Sequence, residues 1–227
     1  MQGFGTVVTG TLVDGVLRIN DEMAVYPDDI PAKVRGIQTY GSDTDEAVAG
    51  QRTAVNLSGI KKENAPRGSV LAAPGAVTVT NMLDVELSVF KSSDRQILNN
   101  SRIHLYTGSK EVLAKVIIME REFMASGDTA YVQLRLEEPI AIRRGDKFIV
   151  RFYSPVITIG GGVILDANPE KHKRNRDDVM ADFDILASGD VEAIVHLKTG
   201  KWKYYKQQEL GQELGLTADE IKRSLEL

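Results

Sequence analysis

The stretch GFGTVVTGT, residues 3–11, decides the fold of the first third of the chain. Its β-branched run between glycines is typical of a strand bounded by turns. Turn signals recur from Asp14-Gly15 to Pro74-Gly75 and separate further apolar runs. This succession of short strands predicts a β-barrel or sandwich over residues 1–76. The predicted strands are residues 5–13, 22–26, 32–39, 52–57 and 69–73.

Residues 77–170 show a stricter alternation of apolar and polar side chains. Leu83, Val85, Leu87 and Val89 share one face, and Asp84, Glu86 and Ser88 share the other. The same pattern runs through residues 112–118 and 130–137, where Gln133 and Arg135 are on the polar face. A period of two over this length predicts antiparallel strands with one buried face. We therefore expect a second antiparallel β-barrel.

The composition changes after residue 170. A basic linker, Lys171 to Arg176, is predicted to act as a hinge. Val179, Phe183 and Leu186 recur at helical spacing, and Asp190 is placed to cap a helix that carries Ile194, Val195 and Leu197. Further helices are predicted at 208–214 and after the capping box Thr217-x-x-Glu220. Residues 171–227 thus predict a small α-helical, incomplete winged-helix domain.

Composition excludes several classes of function. The 227-residue chain has a net charge of −4, so it carries no bulk field that attracts nucleic acid or an anionic membrane. It has no cysteine, which excludes disulfides and thiolate catalysis. No signal peptide and no stretch of about 20 apolar residues is present. We expect a soluble cytoplasmic protein, monomeric and without membrane contact.

No catalytic constellation is visible. His104, His172 and His196 lack metal-ligand spacing, so each is expected to be hydrogen-bonded or exposed. The pair Glu137-Glu138 has no accompanying base or nucleophile pattern. The P-loop pattern G-x-x-x-x-G-K-[ST] does not occur. We therefore predict that the chain by itself is not an enzyme and holds neither a metal nor a nucleotide.

Four stretches resemble translational GTPases of the elongation factor Tu type. GFGTVVTGT is similar to the first strand of their second domain, and AGQRTAVNL (49–57) and RGSVL (67–71) are similar to later parts of that barrel. RRGDKFIVR (143–151) resembles the end of the third domain. The family's GTP-binding domain would precede residue 1. The resemblance thus implies a piece of a longer protein, with GTP and magnesium bound by that upstream domain.

Two further stretches narrow the resemblance to the bacterial selenocysteine-specific elongation factors (SelB). YSP (153–155) and TIGGGVILD (158–166) are similar to a signature of that family, and a helical extension follows them here as it does there. The resemblance covers the first 170 residues. It implies translation-factor domain 2 (1–76), domain 3 (77–170) and the start of a winged-helix region (171–227).

The resemblance also implies partners. The parent protein would bind selenocysteinyl-tRNA, deliver it to the ribosome at recoded UGA codons, and contact an mRNA hairpin through winged-helix domains beyond this chain. The family's general alternative is a translational GTPase that carries ordinary or initiator tRNA. An alternative outside the family is a winged-helix protein-interaction module.

Arg52 is the candidate for the aminoacyl site. In the family pattern, this arginine lines the pocket for the selenocysteinyl group. A selenol ionises readily, and a permanently charged guanidinium in a partly desolvated pocket favours the selenolate over neutral serine. The alternative is a surface arginine that stabilises a turn.

Arg151, Ser154, Pro155 and Thr158 are the candidate tRNA-binding residues, because the family's counterpart loop contacts the tRNA backbone. Small residues allow backbone N–H groups to approach phosphates. Gly160–Gly162 are expected to form a tight barrel turn with positive φ. Lysines 198, 201, 203 and 206 alternate with Trp202, Tyr204 and Tyr205, which favours either a basic-aromatic RNA surface or, more simply, a small core with a solvated lysine face.

Overall fold

The computed structural model describes residues 5–201, 210, 211, 214, 216 and 218–225. The chain divides into two compact units, one up to Ala76 and one from Val77 onward. Within the described part of the chain, no helix has the length and apolar character needed to cross a membrane.

The first unit consists of antiparallel strands around one apolar core. The strands are β1 (Thr6–Thr11), β2 (Val16–Arg18), β3 (Glu22–Tyr26), β4 (Ile30–Thr39), β5 (Ser42–Thr44), β6 (Glu46–Val48), β7 (Arg52–Ser58) and β8 (Val70–Ala72). Hydrogen bonds order the main sheet β1-β7-β4-β3-β8, with β5 on β4, and β2 pairs with β6. Leu17, Val34, Ile37 and Leu57 form the centre of the core.

The second unit contains a closed barrel. Its elements are β9 (Thr78–Val89), β10 (Ile97–Leu98), β11 (Arg102–Thr107), β12 (Lys110–Ile118), β13 (Phe123–Met124), β14 (Thr129–Ile142), β15 (Lys147–Phe152) and β16 (Thr158–Asp166). The barrel order is β11-β12-β14-β9-β16-β15, and β10 pairs with β13. The mainly β fold class with a closed barrel and a small helical part is confirmed.

The predicted inner face of the barrel is also confirmed. Leu83, Val85 and Leu87 are fully buried in the barrel core, as are the apolar residues that alternate along β12 and β14. Two residues predicted to face solvent are also buried: Asp84 and Gln133. They do point away from the barrel core, but another part of the chain covers them.

Gly160, Gly161 and Gly162 lie inside β16, so the prediction of a tight turn was wrong. None of the three has positive φ. The glycines are required by close approach of neighbouring backbones instead. A Cβ at Gly160 would overlap the carbonyl oxygen of Ser88, and one at Gly162 would overlap that of Glu86. These two glycines let β16 pair tightly with β9.

The helices begin after the linker. They are α1 (Asp177–Ser188), α2 (Val191–Lys201) and α3 (Ala218–Leu225). Gly189 ends α1 in the left-handed conformation with φ 75°. Asp190 caps α2 as predicted, since its Oδ1 accepts hydrogen bonds from the backbone N–H groups of Glu192 (3.0 Å) and Ala193 (3.2 Å). Most of the predicted helix 208–214 and Thr217 of the capping box lie outside the described residues.

The helices pack on the outer wall of the barrel. Ile117, Met119 and Leu165 of the wall share one apolar cluster with Phe183 and other helix residues. Tyr131 of β14 stacks on Phe183 with ring centroids 5.0 Å apart. Its hydroxyl donates to Asp184 Oδ1 at 2.9 Å, and burial together with this carboxylate raises the pKa of Tyr131 to about 12. The wall therefore has two buried faces at this point.

The linker is hydrogen-bonded to the barrel near its C-terminal end, and whether it acts as a hinge stays a prediction. Arg174 donates to the backbone oxygens of Ile118 (2.7 Å) and Arg121 (2.6 Å), and it forms an ion pair with Glu122. The backbone N–H of Asn175 donates to Met119 O at 2.9 Å. These bonds attach Arg174 and Asn175 to the barrel just before α1 begins.

Candidate nucleic-acid interface

Arg52 is the first residue of β7 and lies opposite the last residue of β1. Its Cα pairs with that of Thr11. Side chains alternate along β7, so Thr53 and Val55 face the core while Arg52 is exposed. The guanidinium makes no hydrogen bond or ion pair with any described residue.

The turn before Arg52 is stabilised by hydrogen bonds that do not involve the Arg52 side chain. Gly50 N donates to Leu12 O at 2.8 Å, and Leu12 N donates to Gln51 O at 2.9 Å. The Gln51 side chain accepts a hydrogen bond from Val48 N at 2.9 Å. The alternative of an arginine that holds this turn is therefore not supported, and the charge is available for an external anion.

The four predicted tRNA-binding residues lie together in the β15–β16 hairpin. Arg151 and Thr158 are cross-strand neighbours, and Ser154 and Pro155 lie in the loop between them. All side chains of residues 153–158 are exposed. The hairpin therefore exposes the hydroxyl side chains of Ser154 and Thr158 beside the apolar side chains of Val156 and Ile157.

Arg151 also holds this loop. Its Nη2 donates to Val156 O at 2.9 Å, and its Cζ lies 5.7 Å from the centre of the Tyr106 ring. Its Nε is buried without a partner among the described residues. The Arg151 side chain is thus oriented by the loop that follows it. Guanidinium N–H groups that make no bond to this loop remain as donors for an anion.

A strip of cations and aromatic rings continues from the loop along β11. Tyr153 stacks on His104 at 5.6 Å between centroids, and Arg102 Cζ lies 4.9 Å from the Tyr153 ring. Arg102 also forms a bidentate ion pair with Glu137, which holds the pKa of that carboxyl below its usual range. Sequence analysis missed this strip. The alternation Arg102-x-His104-x-Tyr106 was its only signal.

Lys198 lies neither on an RNA surface nor on a solvated lysine face, the two alternatives that the sequence left open for residues 198–206. This side chain is 6% exposed, and its Nζ donates to Asp166 Oδ2 at 2.6 Å. The side chain of Lys201 and all of residues 202–206 lie outside the described part. Nothing in the described residues supports an RNA surface here.

The three histidines fit the expectation of hydrogen-bonded or exposed rings. His104 Nδ1 is 2.8 Å from Glu111 Oε1, His172 Nε2 is 2.5 Å from Asp84 Oδ2, and His196 is exposed. Among the described residues, no group of three His, Asp or Glu side chains is arranged to hold a metal ion.

Two family models match the chain. Residues 5–72 match the model of elongation factor Tu domain 2. Residues 84–171 match the model described as selenocysteine-specific elongation factor, beta-barrel domain.

Curated relatives carry the same description. A selenocysteine-specific elongation factor from Desulfomicrobium baculatum is 36% identical over 224 residues, 98% of this chain and 33% of the relative. One from Haemophilus influenzae is 28% identical over 177 residues, 77% of this chain and 28% of the relative. The chain thus spans about a third of the length of these relatives.

Solved structures share the fold. A bacterial selenocysteine-specific elongation factor matches with a TM-score of 0.76 at 22% identity, covering 96% of this chain and 34% of that one. The factor from Methanococcus maripaludis, in its apo form, matches with a TM-score of 0.65 at 25% identity, covering 78% of this chain and 41% of that one.

The antiparallel β unit and the closed barrel, together with these matches, define the class: β domains of a translation elongation factor. A relative from one branch of that class is similar over 98% of the chain. The chain belongs to the selenocysteine-specific elongation factor family.

Proposed function

We propose that this chain supplies the aminoacyl-binding and tRNA-binding surfaces of a factor that delivers selenocysteinyl-tRNA to the ribosome at recoded UGA codons. The factor would act in the cytoplasm as a monomer and contact the mRNA hairpin through further winged-helix domains. GTP and magnesium would be bound elsewhere in the longer protein, since no P-loop motif occurs in this sequence. No residue of this chain is assigned to them.

The uncompensated charge of Arg52 carries the proposal. The guanidinium is exposed beside a turn that does not need it, and it has no carboxylate partner among the described residues. An arginine is charged at every physiological pH, whereas the seryl hydroxyl is neutral. Once bound tRNA excludes water, the attraction between the guanidinium and a selenolate strengthens, and serine gains nothing comparable.

Replacing Arg52 with alanine should abolish the preference for selenocysteine. In the full-length protein with GTP, we expect selenocysteinyl-tRNA to lose at least about tenfold in affinity, the value of one charge-assisted contact. Seryl-tRNA on the same tRNA body should change little. The measurement is protection of the aminoacyl ester from hydrolysis, compared between the two tRNAs.

Arg35→Ala is the matched control, because Arg35 is an exposed arginine of the same unit on β4. It should leave the preference intact. Equal protection of both tRNAs by the unaltered protein would contradict the proposal and favour a general factor for ordinary or initiator tRNA. No protection of either tRNA would favour the protein-interaction module.

The loop should contribute to tRNA affinity whatever amino acid is attached. Arg151→Met removes a cation and releases the Val156 carbonyl, so affinity should fall about tenfold for both tRNAs, and the salt dependence should become shallower. Filter binding at several salt concentrations measures both effects. Lys147→Met removes an exposed cation at the other end of β15 and should have less effect. Equal losses in the two variants would argue against a specific role for the loop.

A further inference from the structure

Four buried charged residues lie between the barrel wall and the helices: Asp84, Asp166, His172 and Lys198. We call them the buried charge cluster. Asp84 on β9 and Asp166 on β16 are cross-strand neighbours, 1% and 6% exposed. His172 comes from the linker and Lys198 from α2. The cluster borders a cavity of about 550 Å³ between the wall, the linker and the two helices.

Each carboxylate of the cluster has one cationic partner from the covering segment. His172 Nε2 lies 2.5 Å from Asp84 Oδ2, and Lys198 Nζ lies 2.6 Å from Asp166 Oδ2. Gln133 donates to the other Asp84 oxygen at 3.0 Å but is neutral. Two adjacent carboxylates away from water repel each other strongly unless both are neutralised. Lysine does this at any physiological pH, whereas histidine does so only with a proton.

The Asp84–His172 pair therefore has a net charge of zero only while it carries one proton. Burial raises the pKa of Asp84, the hydrogen bond from His172 lowers it, and the charge of Asp166 raises it. The proton is thus retained by the pair, whether it resides on the imidazole or on the carboxyl. In water, Asp84 would be ionised and His172 would lose its proton above about pH 6.5.

Within the described part of the chain, the other charged groups near the cluster do not hydrogen-bond Asp84 in place of this proton. Arg135 donates to Gln133 at 3.4 Å, and Arg144, which donates to Leu186 O, interacts with Asp166 across space. Neither of them hydrogen-bonds Asp84. The remaining charges that line the cavity balance in sign: Glu170, Asp178 and Asp182 against Lys171, Lys173 and Arg176.

We propose that the Asp84–His172 pair is a pH-sensitive latch. It holds the linker and helices α1 and α2 against the barrel while the pair carries one proton, and it opens when that proton is lost to solvent. The sign follows from proton counting. The closed form holds one proton more than the open form above about pH 6.5, so a rise in pH favours opening. The open-to-closed ratio should increase by up to tenfold per pH unit in that range.

The absence of native cysteine permits a direct test on the 227-residue chain. Spin labels on Lys115→Cys in β12 and Ala181→Cys in α1, both exposed positions, report the distance between barrel and helices. At pH 6 we expect one distance. Between pH 7 and pH 9 a longer distance should gain population at up to the stated tenfold per unit.

Three variants in this labelled background separate the latch from other titrations. His172→Gln should show the longer distance already at pH 6, because Asp84 loses its cationic partner. Asp84→Asn removes the need for a proton and should stay closed at every pH. His104→Gln alters a partly exposed histidine–glutamate pair on the same barrel and should keep the unaltered pH response. Circular dichroism checks that the barrel is folded in each.

A measurement on the unaltered chain does not depend on any variant. The imidazole NMR signals of His172 should change with the same pH midpoint as the distance. The latch is overturned by a constant distance from pH 6 to pH 9, or by separate midpoints for the distance and the His172 signals.

Discussion

Replacing Lys198 with methionine should destabilise the helical region by about 3–5 kcal/mol. Methionine fills a similar volume, but it leaves the buried Asp166 carboxylate without its 2.6 Å partner. The cost of burying an uncompensated charge is far larger than the net value of the pair itself. Urea unfolding followed by circular dichroism at a helix wavelength measures the loss.

Two comparison variants make the Lys198 prediction specific. Lys110→Met breaks the exposed pair with Glu138, whose carboxylate is 67% exposed, and should cost less than about 1 kcal/mol. The double variant Asp166→Asn/Lys198→Met removes both charges and should regain most of the lost stability. A Lys198→Met protein as stable as Lys110→Met would show that Asp166 is not isolated from water.

Replacing Gly162 with alanine should lower the free energy of unfolding of the second unit by at least about 3 kcal/mol. The added methyl group would overlap the carbonyl oxygen of Glu86 and approach Phe148 Cζ to 2.9 Å. The backbone oxygen belongs to a paired strand and cannot rotate away, so β16 must move out of register. Thermal unfolding should show a decrease of roughly 10 °C in Tm.

Gly10→Ala is the matched control for Gly162→Ala. Gly10 also lies in a strand without positive φ, but no atom lies within 4 Å of its added Cβ. Its substitution should change stability by less than about 0.5 kcal/mol. Similar Tm values for the two variants would mean that the barrel accommodates the methyl group by small shifts.

Alternation along the strands predicted the barrel's inner face correctly because a strand's side-chain period is fixed by backbone geometry. It could not predict what covers the outer face. Asp84 and Gln133 were assigned to solvent, yet the linker residues that bury them follow some 40 to 90 positions later in the chain. The unbroken apolar run Val116–Met119 was the one local sign of a second buried face.

The part of the candidate site that is built from residues close together in the sequence was predictable. Arg151 and Thr158 are seven residues apart, and a hairpin brings them together. The strip beside them was not predictable, because it requires the pairing of β11 with β15, which joins residues about 45 positions apart. Gly160–Gly162 were misassigned because glycine is required both by positive φ and by close backbone approach, and composition does not distinguish these causes.

The apolar contact between the barrel's outer wall and the helices limits which domains can be exchanged among such proteins by gene fusion. Ile117, Met119, Tyr131 and Leu165 are complementary to the helices that follow the barrel in this chain. A gene fusion that joined this barrel to a different extension would expose all four side chains to water. The resulting exposed apolar patch would favour aggregation. The barrel and its first two helices are therefore expected to be inherited as one module, and exchange of the distal parts is expected to occur only beyond them.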